Sequence, residues 1–365
     1  MAKRIIIAGG GTGGHIFPAI AIANALRKEN SELEILFVGA KGKMEMERVP
    51  QAGYKIEGLD IAGFNRSSLI KNFGLPLKLA KSFLQVRSIF SRFRPDAVIG
   101  VGGYSSFPVL RFAQARGIPS FIHESNSFAG KSNMLLGRKA KKVFVASDGM
   151  QQFFPAGKIL VTGNPVRPDI VNVATIRQTD ALHFFGLQAD KKTVLVVGGS
   201  LGARSINEAV AAGLQQLTAA GLQVIWQTGK TDAAKWKEVA ASNSSVWVND
   251  FITQMQQAYA AADVVVSRAG AMAIAELCLV KKPVLFVPYP FAAEDHQTAN
   301  ARSLVQKDAA LMVKDSEARE KLIPGILSLV NDEQKQAELI KNISVLGVTD
   351  ADKEIAEEIL KTIGN

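Results

Sequence analysis

The chain has 365 residues, 47% of them hydrophobic and 21% charged, with 31 glycines, one cysteine and a formal net charge of +10. Such a length exceeds one ordinary core and suits two, and the glycine content fits an α/β protein with many tight strand-to-helix turns. Cys278 can form no internal disulfide, the first residues carry no signal-peptide pattern, and no apolar run is long enough to cross a membrane, which together point to a reducing, cytoplasmic setting.

The charge is uneven along the chain. Residues 1–168 hold 24 Lys and Arg against 10 Asp and Glu, whereas residues 169–365 hold 19 against 23. A basic first half suits nucleic acid, an anionic membrane or a phosphorylated substrate.

In chain order, an apolar strand over 4–8 breaks into Gly9-Gly10-Gly11-Thr12-Gly13-Gly14-His15, and a helical pattern follows from Pro18. A strand, a glycine turn and a helix start present unpaired N–H groups and a positive dipole end, an anion site. Glycines 9, 11 and 14 have dinucleotide-loop spacing, but the next strand, 34–38, ends in Gly39-Ala40-Lys41 where a ribose-binding acid would be needed. A helix from about Met44, strand 96–101, Gly102-Gly103-Tyr104, a helix over 108–116, strand 120–124 and strand 142–146 complete an alternation that builds a parallel sheet covered on both faces. Its strand ends carry Gly9 to His15, Gly102 to Ser106 and His123-Glu124-Ser125-Asn126, where ligands gather in such sheets.

From 61 to 95 the chain has no acidic residue and seven basic ones. After Pro76, the residues Leu79, Phe83, Val86, Phe90 and Phe93 repeat at helical spacing as a core face, leaving Ile70, Phe73, Leu75 and Leu77 beside Lys71, Lys78 and Lys81. Apolar residues flanked by lysines fit an interfacial membrane contact; a solvated basic helix has the same composition.

Two prolines in Gly163-Asn164-Pro165-Val166-Arg167-Pro168 mark a hinge, after which the pattern restarts with strand 193–197 and Gly198-Gly199-Ser200-Leu201-Gly202-Ala203-Arg204. Further strands are expected at 223–227, 245–248, 262–267 and 283–287. The stretch Ser267 to Glu276 lets a diphosphate approach a helix start at Gly270 and Ala271, and places Glu276 about one and a half turns on, where a carboxylate can accept from both hydroxyls of a ribose. Glu294-Asp295-His296-Gln297 and Asn300 offer donors and acceptors suited to a sugar. The only Asp-x-Asp, Asp350-Ala351-Asp352, precedes the last helix and reads as a cap, so no metal is expected, and leaving-group charge falls to backbone amides, helix dipoles and arginines such as Arg167 or Arg204.

Taken together, Gly9 to His15, Gly102 to Tyr104, His123 to Asn126, Gly163 to Arg167, Gly198 to Arg204, Ser267 to Glu276 and Asp295 to Gln297 with Asn300-Ala301 resemble, in their order, the bacterial MurG family of peptidoglycan glycosyltransferases, over nearly the whole chain. The resemblance implies the GT-B fold, two doubly wound Rossmann-like α/β domains facing across a cleft. An acceptor- and membrane-binding domain would span 1–168, a UDP-sugar domain 169–340, and a C-terminal segment 341–365 would pack back on the first. It implies donor contacts to UDP-N-acetylglucosamine (UDP-GlcNAc) at Thr12, Gly13, Gly14, Asn126, Arg167, Ser200, Ile252, Ala271, Met272, Ala273, Ile274, Ala275, Glu276 and Gln297, with the Ile252 backbone against uracil and the Gln297 amide on the sugar. Gly103 and Tyr104 would meet the acceptor diphosphate, and Ile70, Lys71, Phe73, Leu75, Lys78 and Phe83 an anionic membrane surface.

The implied reaction needs no cofactor and no nucleic acid. It moves N-acetylglucosamine, with inversion, to the 4-hydroxyl of the N-acetylmuramoyl sugar of lipid I at the cytoplasmic face of the inner membrane. His15 is the candidate base, since a helix N-terminus disfavours the imidazolium, and Glu124 is the rival. A UDP-sugar epimerase, another GT-B glycosyltransferase and a non-catalytic nucleotide-binding scaffold share many of these features.

Overall fold

A computed structural model describes residues 2–62 and 74–364. The chain divides into two compact units, Met1–Val166 with Asp350–Asn365, and Arg167–Thr349. In the first, β1 (Arg4–Ala8), α1 (Gly13–Glu29), β2 (Glu34–Ala40), α2 (Glu45–Gln51), β3 (Lys55–Leu59), α3 (Leu75–Phe93), β4 (Ala97–Gly100), α4 (Ser106–Ala115), β5 (Ser120–Glu124), α5 (Lys131–Gly137), β6 (Lys142–Val145) and β7 (Ile159–Val161) alternate. The second runs through α6 (Pro168–Val171), α7 (Gln178–Phe184), β8 (Thr193–Val197), α8 (Arg204–Ala219), β9 (Gln223–Gln227), α9 (Ala233–Ala240), β10 (Val246–Asn249), α10 (Met255–Ala261) and β11 (Val264–Ser267). It finishes with α11 (Ala271–Val280), β12 (Val284–Phe286), α12 (His296–Val305), β13 (Leu311–Met312), α13 (Ala318–Asn331) and α14 (Glu333–Ser344), before α15 (Ala351–Ile363) returns to the first unit.

Both sheets are parallel, with strand orders β3-β2-β1-β4-β5-β6-β7 and β10-β9-β8-β11-β12-β13. Because side chains alternate along a strand, β1 feeds two cores. Ile5 and Ile7 pack beneath α1 with Ile22 and Leu26, while Ile6 and Ala8 join Val86, Ile89, Val109 and Leu110 from α3 and α4 on the other face. Helix α15 completes the first of these layers: Ile355 and Ile359 are fully buried against it, and the Lys3 ammonium donates to the Ile363 carbonyl at 3.1 Å. Residues 341–349 stay in the second unit, where α14 buries Leu339 and Ile343. With α15 counted where it packs, the first unit holds 25 Lys and Arg against 15 Asp and Glu, and the second 18 against 18, so the whole net charge of +10 resides on the first.

Three strands escape the sequence pattern, β3, β7 and β13, and all three lie at sheet edges. An edge strand buries less and needs no continuous apolar run; Lys55-Ile56-Glu57-Gly58-Leu59 is polar at alternate positions, and β13 is two residues long. Helix α1 begins at Gly13, ahead of Pro18. The Thr12 carbonyl accepts from both His15 and Ile16 at 3.1 Å, so a full turn has formed before the proline, which leaves only the Gly14 carbonyl without its helical donor.

Truncating Ile359 to alanine opens a cavity in the α1 and α15 layer and is expected to cost about 3 kcal/mol. Equilibrium denaturation followed by circular dichroism measures it; a loss below about 1 kcal/mol would show that α15 is not part of that core.

Candidate active site

In each sheet the strand order reverses at one place, between β1 and β4 in the first unit and between β8 and β11 in the second. Crossovers leave in opposite directions there, so the loops at those strand ends remain uncovered. The glycine turns stand at these reversals: 9–12 after β1 and 101–105 after β4, 198–203 after β8 and 268–270 after β11.

The turns of the first unit are pressed together. A Cβ on Gly103 would lie 2.4 Å from the Gly10 carbonyl oxygen, and one on Gly9 would lie 2.5 Å from that of Gly102, so no other residue fits either position. Much of the expected anion site is consequently used by the protein itself. The N–H of Gly9 bonds the Val38 carbonyl, that of Gly10 the Gly102 carbonyl, and that of Gly11 the Glu45 carboxylate at 2.7 Å. What remains is the start of α1, where the N–H groups of Thr12, Gly13 and Gly14 have no partner among the described residues.

The end of the second strand lacks an acid, but Glu45 brings one to the loop from α2. It is 1% exposed, accepts from Gly11 N–H and, at 2.9 Å, from Ala40 N–H, and lies against Gly10, whose Cβ would clash with its carboxylate. A carboxylate thus enters from α2 and secures the loop backbone.

His15 sits in the first turn of α1, half-buried, with Nδ1 3.0 Å from the Gly10 carbonyl. A carbonyl only accepts, so Nδ1 carries the hydrogen and Nε2, which faces the Gly102 turn, keeps its lone pair. Behind it His123 is fully buried, and burial pushes its pKa down to about 4, so it adds no positive charge beside His15. Glu124 is 3% exposed and saturated: Oε1 accepts from the Asn126 N–H and side-chain amide, and Oε2 from Gly130 N–H and the Asn133 amide. Those four bonds fix the loop carrying Asn126, and the geometry makes Glu124 an anchor where the sequence left it as rival base. Tyr104 is exposed beside Gly103.

In the second unit, Arg167, Glu276 and Tyr259 form one cluster. The Arg167 guanidinium donates to Glu276 Oε1 at 3.2 Å, and the Tyr259 hydroxyl donates to Oε2 at 3.0 Å. Burial raises the Glu276 pKa, with Arg167 and Tyr259 working against it. Ala271, Met272, Ala273, Ile274, Ala275 and Glu276 form the half-buried opening of α11, with Gly270 before it. Ile252 is buried, and its N–H is taken by Gln227 Oε1 at 3.2 Å. Gln297 accepts from Tyr289 N–H at 3.0 Å through its side-chain oxygen, so its amide nitrogen is the donor end of that side chain. Ser200 is exposed on its loop, and its carbonyl accepts from Lys230 N–H. Arg268 is held inward by the Val287 and Pro288 carbonyls, Asp315 and Ser205. Among the described residues no group of His, Cys, Asp and Glu is arranged to hold a metal ion.

On α3 the buried residues are Ser82, Val86, Ile89 and Phe90, so Val86 and Phe90 of the expected stripe lie in the core with Phe93 packed against it, while Leu79 and Phe83 are only half-buried. Leu75 is half-buried and Lys78 exposed, whereas Leu77 and Leu84, seven residues apart on one face, are 77% and 68% exposed. Lys81 and Lys41 both bind Asp60, and its carboxyl is held down to about 2 by those ammonium groups. Ile70, Lys71 and Phe73 lie outside the described residues.

Comparison with known proteins adds a lineage to this geometry. Residues 5–145 match the glycosyltransferase family 28 N-terminal domain and residues 193–355 its C-terminal domain. A Parabacteroides distasonis protein named UDP-N-acetylglucosamine--N-acetylmuramyl-(pentapeptide) pyrophosphoryl-undecaprenol N-acetylglucosamine transferase is 52% identical over 363 residues, 99% of this chain and 98% of its own. A Bacteroides thetaiotaomicron protein of the same name is 52% identical over 98% of this chain and 97% of its own. The crystal structure of Acinetobacter baumannii MurG superposes with a TM-score of 0.81 at 30% identity, covering 98% of this chain and 99% of that one.

Glu45→Ala would leave the N–H groups of Gly11 and Ala40 without an acceptor, the second of them fully buried, and is expected to destabilise the first unit by about 3 kcal/mol. Thermal and urea unfolding of the variant check this; an unchanged midpoint would mean the glycine loop does not depend on that carboxylate.

Proposed function

Because the chain belongs to glycosyltransferase family 28 and its two parallel α/β units have the GT-B fold, we propose that it transfers N-acetylglucosamine from UDP-GlcNAc to the 4-hydroxyl of the N-acetylmuramoyl sugar of lipid I, making lipid II for peptidoglycan. The observation that carries this reading is 52% identity, end to end, with an enzyme named for that transfer.

In this reading the second unit holds the donor. Glu276, bonded by Arg167 and Tyr259, accepts from the ribose hydroxyls, and the N–H groups of Met272 and Ala273 in the first turn of α11 meet the diphosphate together with Arg167 and Ser200. The Ile252 backbone lies along uracil; its N–H is engaged by Gln227, so its carbonyl is the group left to read the base. The Gln297 amide nitrogen, whose partner oxygen is engaged by Tyr289 N–H, donates to the sugar.

The first unit supplies the acceptor side and the base. His15 Nε2 takes the proton of the acceptor 4-hydroxyl as that oxygen attacks the anomeric carbon. The bond to UDP breaks as the new one forms, the configuration inverts to a β-1,4 link, and the electron pair leaves on the diphosphate. The hydrogen bond from Nδ1 to Gly10 fixes the tautomer this requires. Thr12, Gly13, Gly14 and Asn126 contact the donor, and Gly103 and Tyr104 the acceptor diphosphate.

The lipid acceptor requires a membrane surface. No described helix is long and apolar enough to cross a membrane. We assign the contact to the cytoplasmic face of the inner membrane through the first unit, which carries the entire net charge and exposes Leu77 and Leu84 beside Lys78 and Lys81. Leu75 and Phe83, half-buried, border that face.

Incubation with radiolabelled UDP-GlcNAc and a lipid I analogue should move label into the lipid fraction. His15→Ala should slow turnover by at least about 100-fold while still binding donor. Label confined to nucleotide sugar would favour an epimerase, no turnover a scaffold, and near-normal turnover in His15→Ala would exclude it as base. Separately, Leu77→Glu with Leu84→Glu should reduce sedimentation with vesicles rich in anionic lipid by about 10-fold or more at unchanged turnover of a water-soluble acceptor; undiminished sedimentation would remove α3 from the membrane contact.

A further inference from the structure

We infer that Tyr259 is a positioning residue for nucleotide selection: by orienting the Glu276 carboxylate it sets the preference for an intact ribose. The inference rests on the reading of Glu276 as the ribose carboxylate. Tyr259 lies on α10, is 3% exposed and donates to Glu276 Oε2 at 3.0 Å, while Arg167, from the turn before α6, donates to Oε1 at 3.2 Å. A glutamate on a helix has three rotatable side-chain torsions, and the last is broad. One donor on each oxygen, approaching from two different elements, removes that freedom and sets the plane of the carboxylate. Each oxygen keeps acceptor capacity for one more hydrogen, so the fixed plane presents two acceptors side by side, the complement of a vicinal diol.

The two donors differ in kind. Arg167 brings a charge that can also serve a diphosphate, whereas the Tyr259 hydroxyl is neutral, too buried to touch a nucleotide, and able to act only through Glu276. Burial and the neighbouring Glu276 charge raise its own pKa well above the usual phenol value, so it remains a donor throughout the working range. It also helps Glu276 stay ionised against the desolvation that pushes the carboxyl up.

Tyr259→Phe removes one oxygen and keeps the packed ring. Full-length wild type, Tyr259→Phe and Glu276→Ala are compared by calorimetric binding of UDP and 2′,3′-dideoxy-UDP and by turnover of UDP-GlcNAc with a lipid I analogue. Wild type is expected to prefer UDP by about 10-fold or more, and Tyr259→Phe to lose most of that preference while binding the dideoxy nucleotide within about twofold of wild type. Its KM for UDP-GlcNAc should rise about 10-fold with kcat reduced less than about threefold. Equal weakening towards both nucleotides would mark Tyr259 as merely structural and overturn the proposal, as would a preference retained at the wild-type value. If Glu276→Ala loses the preference and Tyr259→Phe keeps it, the ribose reading stands and the positioning role fails. Absence of any preference in wild type, or its survival in Glu276→Ala, removes the ribose reading and the inference with it.

Discussion

A parallel strand ends with backbone groups that its neighbours do not pair, and at the point where crossovers part, nothing covers them. Each unit of this chain has one such point. In the first the turns are glycine because their backbones touch, Gly103 lying on the Gly10 carbonyl; in the second the close approach is between the turns after β8 and β9, where a Cβ on Gly229 would fall 1.9 Å from the Gly202 nitrogen, whereas Gly270 after β11 faces open space. That crowding spends most of the loop N–H groups on the protein and leaves the helix starts as the places where an anion can still be met. Thr12 to Gly14, and Met272 with Ala273, which we propose as donor contacts, lie at those helix starts.

Two buried carboxylates, Glu45 and Glu124, and a half-buried one, Glu276, show how environment decides use. Glu45 accepts from two backbone amides and holds a turn; Glu124 accepts from two backbone and two side-chain amides and holds another. Glu276 has one donor on each oxygen, from an arginine and a phenol, and burial raises its pKa. The first two are committed to the chain. The third retains acceptor capacity and a charge balanced by Arg167, which suits a group that must receive hydroxyls.

Much of this was legible before any coordinates. Most interior strands of both sheets announce themselves as short apolar runs, and β1, β4 and β8 run directly into glycine, because a strand buried on both faces has no polar alternation to hide it. The edges β3, β7 and β13 were not legible, since half-exposed strands resemble loops. Glu45 was invisible for a different reason. The sequence shows no acid at the end of β2, and only the fold brings one back from α2 to the loop. Nothing in the sequence ties Tyr259 to Glu276, seventeen residues on; only the fold brings its hydroxyl to that carboxylate. On α3, helical spacing placed Val86 and Phe90 in the core as found, with Phe93 packed against it, but Ser82 and Ile89 are buried where Leu79 and Phe83 are only half-buried.

The central claim is that helix-start amides left unpaired by the folded chain, and not the glycine turns as a whole, receive the nucleotide's phosphates. Residue-resolved amide hydrogen exchange with and without saturating UDP tests it most directly. The account predicts that UDP slows exchange at Met272 and Ala273 by about 10-fold or more while leaving Gly9 to Gly11, already bonded within the protein, unchanged. Unaltered exchange at the start of α11 with UDP bound, or protection appearing instead at Gly9 to Gly11, would contradict it.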